Sequence, residues 1–234
     1  MSIRTLHLTV ARTARYCTLG APGPDVRELW IACHGYGQLA ADFLEGMHVL
    51  AHPTRLLVAP EALSRYYLAD ERGPHGPESR VGATWMTRED RLTEIGDYVA
   101  YLDKLYDTLR AELGDATPVR VLALGFSQGT ATISRWAART TAPVDELVLW
   151  GGRLPPEIAA AALPARWRRL RVTFVVGSRD RWADEAALRS DQARLRADGL
   201  TTRVVTFEGG HRLDDDTLVR VAGDARPDPG ASIR

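Results

Sequence analysis

The sequence predicts an α/β fold: a mostly parallel central sheet with helices on both faces, in a single domain. Three observations predict it. Short apolar runs alternate with helical patterns along the chain, and strand–helix alternation builds a parallel sheet. Several of those runs, such as LWIAC at 29–33 and LLVA at 56–59, are continuously apolar, as strands buried on both faces are. The chain has 234 residues, a length at which α/β folds commonly form one domain.

Leu6–Val10 and Tyr16–Leu19 read as short strands, paired as a hairpin. Leu29–Cys33 and Leu56–Ala59 follow as buried strands, with a helix over Ala40–Leu50 between them. From Arg91 to Leu113 apolar residues recur at Leu92, Ile95, Val99, Leu102, Leu105, Leu109 and Leu113. Gaps of three and four put them on one stripe of a long amphipathic helix. Then come a strand at Val119–Leu124, a helix at Gln128–Arg139, and strands at Leu147–Trp150 and Val172–Val176. A helix at Ala183–Asp198 is capped by Gly199 and leads into a strand at Arg203–Phe207. A last helix starts near Asp214–Asp216, where carboxylates suit an N-terminus, and ends at Gly223. Residues 223–234, rich in Gly, Pro and Asp, form a flexible tail behind a domain spanning 1–222.

Composition narrows the function. Thirty basic residues balance thirty acidic ones, so the net charge is zero. Nucleic acid and anionic membranes therefore find no overall electrostatic footprint. Cys17 and Cys33 form no CxxC pair and have no Cys/His cluster near them, so neither a metal nor a disulfide framework is expected. No apolar run reaches the roughly 18 residues of a membrane span. Arg4, His7, Arg12 and Arg15 interrupt any signal-peptide core. The expectation is a cytoplasmic protein without stable membrane association; the oligomeric state stays open.

Chemistry concentrates at strand ends. Gly125-Phe126-Ser127-Gln128-Gly129 follows the strand VRVLAL and precedes a helix. That is the context of a nucleophile elbow, a turn so tight that the residues two before and two after the serine must be small. It lifts the hydroxyl off the sheet and places it at a helix N-terminus, whose dipole favours a developing anion. Asp180 lies in the loop after a later strand, with Asp184 as the fallback in the following helix's first turn. His211, in Gly209-Gly210-His211, follows the last strand. His7, His34, His48, His52 and His75 all precede the serine, so only His211 completes the order Ser…Asp…His. Finally, His34-Gly35-Tyr36-Gly37 ends the strand LWIAC. An H-G-x-G turn there supplies one oxyanion-hole N–H, that of Tyr36, beside the N–H of Gln128. His34 would then brace the turn and not act as a base.

Together these residues resemble the phospholipase/carboxylesterase family of serine hydrolases, which includes the acyl-protein thioesterases, within the α/β-hydrolase fold. The matching motifs are CHGYGQ (33–38), ATW (83–85), GFSQG (125–129), GSRD (177–180) and GGH (209–211), and they fall in family order. The resemblance implies a cofactor-free esterase working through an acyl-enzyme, with Ser127, Asp180 and His211 as triad. The chain departs from the thioesterase branch at Thr130, where those relatives often carry glycine, and in the polar segment Asp70–Ala83. Soluble short-acyl esters are accordingly the expected substrates, with thioesters open to the same chemistry. Tyr36, Trp85, Phe126 and Trp182 are the expected pocket walls. The basic run Trp167–Arg171 reads as a solvated face. A non-catalytic ligand- or partner-binding protein on the same fold is the alternative, and a peptidase or acyltransferase would use the same residues.

Overall fold

The computed structural model describes residues 2–69, 76–114, 118–160, 163–182 and 185–224. Among the described residues, seven strands form the central sheet. They are β1 (Tyr16–Leu19), β2 (Glu28–Cys33), β3 (Arg55–Pro60), β6 (Arg120–Phe126), β7 (Val144–Trp150), β8 (Arg171–Gly177) and β9 (Thr201–Phe207). Their order is β1-β3-β2-β6-β7-β8-β9. β1 alone runs antiparallel, against β3; every other pair is parallel. From β3, on one side of β2, the chain crosses to β6 on the other side. In open α/β sheets such a reversal opens a crevice at the carboxyl ends of the strands.

Alternation along each strand divides the core into two layers. Leu29, Ile31 and Cys33 of β2 face a cluster that receives α2 (Arg91–Leu113), α3 (Gln128–Arg139), α4 (Pro156–Ala160) and α5 (Glu185–Ala197). Trp30 and Ala32 face a second cluster, covered by α1 (Ala40–Glu45) and α6 (Asp215–Asp224). The predicted coverage of both faces is thus present. No helix among the described residues is long and apolar enough to cross a membrane.

Several expectations need correction. Residues 2–15 contain no strand, and β1 pairs with β3 instead of with Leu6–Val10. The intervening ARTAR lacks the Gly or Asn that a tight hairpin turn requires. The segment is held by Tyr101, whose hydroxyl donates to the Arg15 carbonyl (2.8 Å), and by a contact of His7 with Asp90 (2.9 Å). The helix expected over Ala40–Leu50 stops at Glu45 and resumes as a 3-10 turn at His48–Leu50, because Gly46 favours a break. Leu92 is 76% exposed while the rest of the α2 stripe is buried. Periodicity fixes which face is apolar, not how far the neighbouring layer extends. A small antiparallel pair, β4 (Ser64–Tyr67) with β5 (Val81–Thr84), had no readable pattern at four residues each. Gly223 lies inside α6 and does not end it. Residues 225–234 of the expected tail, Asp184, and the part of the polar segment at 70–75 fall outside the described residues.

Candidate active site

Ser127 stands between β6 and α3 with φ 53° and ψ −116°. A non-glycine residue at positive φ costs of order 1–3 kcal/mol and persists only where its surroundings impose it. Here they do. A Cβ on Gly125 would lie 2.3 Å from the Gly129 carbonyl oxygen, and one on Gly129 would lie 2.0 Å from that of Cys33. The turn therefore packs backbone on backbone. The Ser127 N–H donates to the Trp150 carbonyl (2.9 Å), and the Thr130 hydroxyl donates to the Ser127 carbonyl (2.7 Å). Thr130 thus ties the first turn of α3 to the serine.

Asp180 and His211 meet across neighbouring loops. Nδ1 of His211 lies 2.8 Å from Oδ2 of Asp180, whose side chain is 1% exposed. The other oxygen, Oδ1, accepts the Trp182 N–H at 2.9 Å. An ionised carboxylate only accepts, so Nδ1 carries the proton and Nε2 keeps its lone pair. The Phe126 ring packs 4.8 Å from the imidazole, centroid to centroid. Gly151, directly after β7, has φ 61°, and a Cβ there would come within 2.9 Å of His211 Cε1. Sequence reading missed this residue. The only signal was a Trp-Gly-Gly at a strand end.

The turn after β2 is fixed from several sides. The Gly35 N–H donates to the Gln38 side chain (2.8 Å) and the Gly37 N–H to the Ala83 carbonyl (2.9 Å). The amide between them, that of Tyr36, has no acceptor among the described residues. Below the turn, His34 is fully buried and accepts the Ala62 N–H on Nε2 (3.1 Å), which makes Nδ1 the donor to the Gly35 carbonyl (2.7 Å). Burial lowers its pKa, so the ring is a neutral brace with both nitrogens engaged. The indole N–H of Trp85 donates to the His34 carbonyl (2.9 Å). The Gln128 side chain adds a clamp that was not foreseen. Its Oε1 accepts the Trp85 N–H (3.1 Å) and its amide nitrogen donates to the Met86 carbonyl (2.9 Å).

No protein-family profile matches the chain, and no curated protein matches it. Solved structures do. A carboxylesterase from Bacillus cereus superposes with a TM-score of 0.65 at 13% identity, over 90% of this chain and 92% of that one. A phospholipase/carboxylesterase from Dyadobacter fermentans gives 0.65 at 16% identity, over 93% and 98%. A carboxylesterase from Mesorhizobium loti gives 0.62 at 17% identity, over 91% and 95%. This chain has the α/β-hydrolase fold.

Within the hydrolase fold, the expected pocket walls divide. Tyr36 is 61% exposed, its ring against Tyr66, and Trp182 is 81% exposed beside Asp180. Phe126 is buried between Phe43 and His211. Trp85 is 3% exposed, with its indole N–H committed to the His34 carbonyl, and it borders a cavity shared with Leu63, Tyr101 and Leu105. Among the described residues a cavity of about 350 Å³ adjoins the turn, bordered by Gly37, Leu39, Asp42 and Arg80.

Proposed function

We propose that the protein is a serine hydrolase that cleaves carboxylic esters, thioesters included, through an acyl-enzyme. The carrying observation is the Asp180–His211 pair, which leaves Nε2 as the basic nitrogen, at the same sheet edge as the strained Ser127 turn. The named carboxylesterases of the same fold support the reading. Nε2 of His211 takes the Ser127 proton as Oγ attacks the ester carbonyl. The Tyr36 and Gln128 amides hold the resulting oxyanion. The alcohol or thiol leaves with the proton from His211. Water, deprotonated by the same nitrogen, then attacks the acyl-serine, releasing the carboxylic acid and restoring Ser127. Asp180 fixes the tautomer and stabilises the imidazolium.

A fluorophosphonate probe is expected to label the protein once, on Ser127, and Ser127→Ala to abolish both labelling and hydrolysis of p-nitrophenyl esters. Labelling that survives the substitution would replace this reading with that of a non-catalytic hydrolase-fold protein.

A further inference from the structure

The groups described so far stand at the carboxyl ends of the strands. The amino ends carry a second concavity, a cavity of about 480 Å³ where the end of α3, the start of β7 and the 3-10 turn Ala165–Arg169 meet. Val144 begins β7 and Leu170 precedes β8, and both line it. A strand of seven residues spans about 20 Å, so this cavity is separate from the Ser127 cleft.

Its lining is of two kinds. The floor is apolar: Ala137, Ala142, Leu170 and Trp167, whose indole N–H is committed to the Ala137 carbonyl (3.0 Å). The rim carries Arg166, Arg168 and Arg169. Arg166 donates to the Ala138 carbonyl. Arg168 and Arg169 are exposed and have neither a carboxylate nor a hydrogen-bond acceptor among the described residues. One carboxylate, Asp145, also lines the cavity and accepts the Val121 N–H (2.8 Å). Three guanidinium groups against one carboxylate make the rim positive in a chain whose total charge is zero.

Exposed arginines on a turn are ordinary where water alone faces them. Arginines around an apolar hollow large enough for a ligand match the usual composition of a small-molecule site, in which a few charged groups orient a mostly apolar ligand. Guanidinium groups suit carboxylate, sulfate and phosphate oxygens, which they bind with paired N–H donors. We infer that this cavity is a second binding site, one for a small amphiphilic anion. The aliphatic chain lies on the Ala137–Leu170 floor, and the anionic head meets Arg168 and Arg169.

The test is calorimetric titration of the intact protein with octanoate, beside 1-octanol, which lacks the charge, and acetate, which lacks the chain. Octanoate is expected to bind saturably, one per chain, and both controls at least about tenfold more weakly, a gap of about 1.4 kcal/mol. The variant R168E/R169E is expected to weaken octanoate by at least the same factor, and added salt to weaken octanoate but not octanol. The milder pair R168Q/R169Q keeps the comparison readable should charge reversal disturb folding. Octanoate affinity unchanged in both variants would put the anion elsewhere, the catalytic cleft included, and overturn the inference. So would equal binding of octanol, or no saturable binding of octanoate.

Discussion

In the proposed mechanism, a single proton on His211 decides whether Ser127 has a base. Asp180 holds that proton on Nδ1, and the Trp182 N–H pins the carboxylate in the orientation that does so. In Asp180→Asn the side-chain carbonyl would keep the Trp182 contact and the new NH₂ would face Nδ1. The imidazole would then carry its proton on Nε2, and the lone pair that serves Ser127 would be lost. Folding is expected to survive while kcat falls by up to about 10⁴-fold, measured by steady-state ester hydrolysis beside a melting curve. At this scale the sequence is informative where a residue's placement depends on its own strand end. Ser127, Asp180 and His211 each follow an apolar run, in an order that backbone geometry makes meaningful. Gly151 and the side chain of Gln128 were not legible, because each matters through what it meets: an imidazole 60 positions on, or a loop some 40 positions back.

The elbow is the element that tolerates least. Gly129 lies against the Cys33 and His34 carbonyl groups, which belong to the backbone and cannot rotate aside as a side chain would. Gly129→Ala is therefore expected to cost about 3 kcal/mol or more, read from chemical denaturation. The long helix α2 and the elbow helix α3 were read from the sequence with the bounds observed, since a sustained 3.6-residue stripe and a motif-anchored start are both local signals. The N-terminal strand was misread for a complementary reason. Alternation in Leu6–Val10 expresses a propensity, whereas a strand also needs a partner edge and a turn that reaches it.

Across the whole molecule, one buried carboxylate ties three segments together. Glu61, after β3, receives Arg15 from before β1 (2.6 and 2.9 Å), Arg65 from β4 (2.9 Å), and the N–H of Ala40 at the start of α1 (3.3 Å). Burial pushes its pKa up, but the Arg15 and Arg65 hydrogen bonds outweigh that and hold it below the ordinary carboxylate value. A lowered folded-state pKa adds stability above the unfolded value, and that stability is lost as pH falls through the folded one. Glu61→Gln is accordingly expected to lower the melting temperature at neutral pH and to shrink the gap to wild type on acidification from about pH 5 to pH 2.

Beside Gly37, Asp42 and Arg80 border a small cavity, so an acyl chain laid there would meet little apolar surface. Each CH₂ transferred from water is worth about 0.8 kcal/mol only against an apolar wall. Across p-nitrophenyl esters of graded length, kcat/KM is expected to peak at about two to six acyl carbons; an optimum at twelve or more would mark a long-chain esterase. The distribution of the site along the chain has a consequence for biosynthesis. Its parts run from His34 to His211, and the histidine follows β9, the sheet's last strand. In the proposed mechanism, a nascent chain that has released everything through α3 carries the nucleophile and its elbow without a base. On that mechanism no acyl transfer is expected before β9 has emerged and paired with β8.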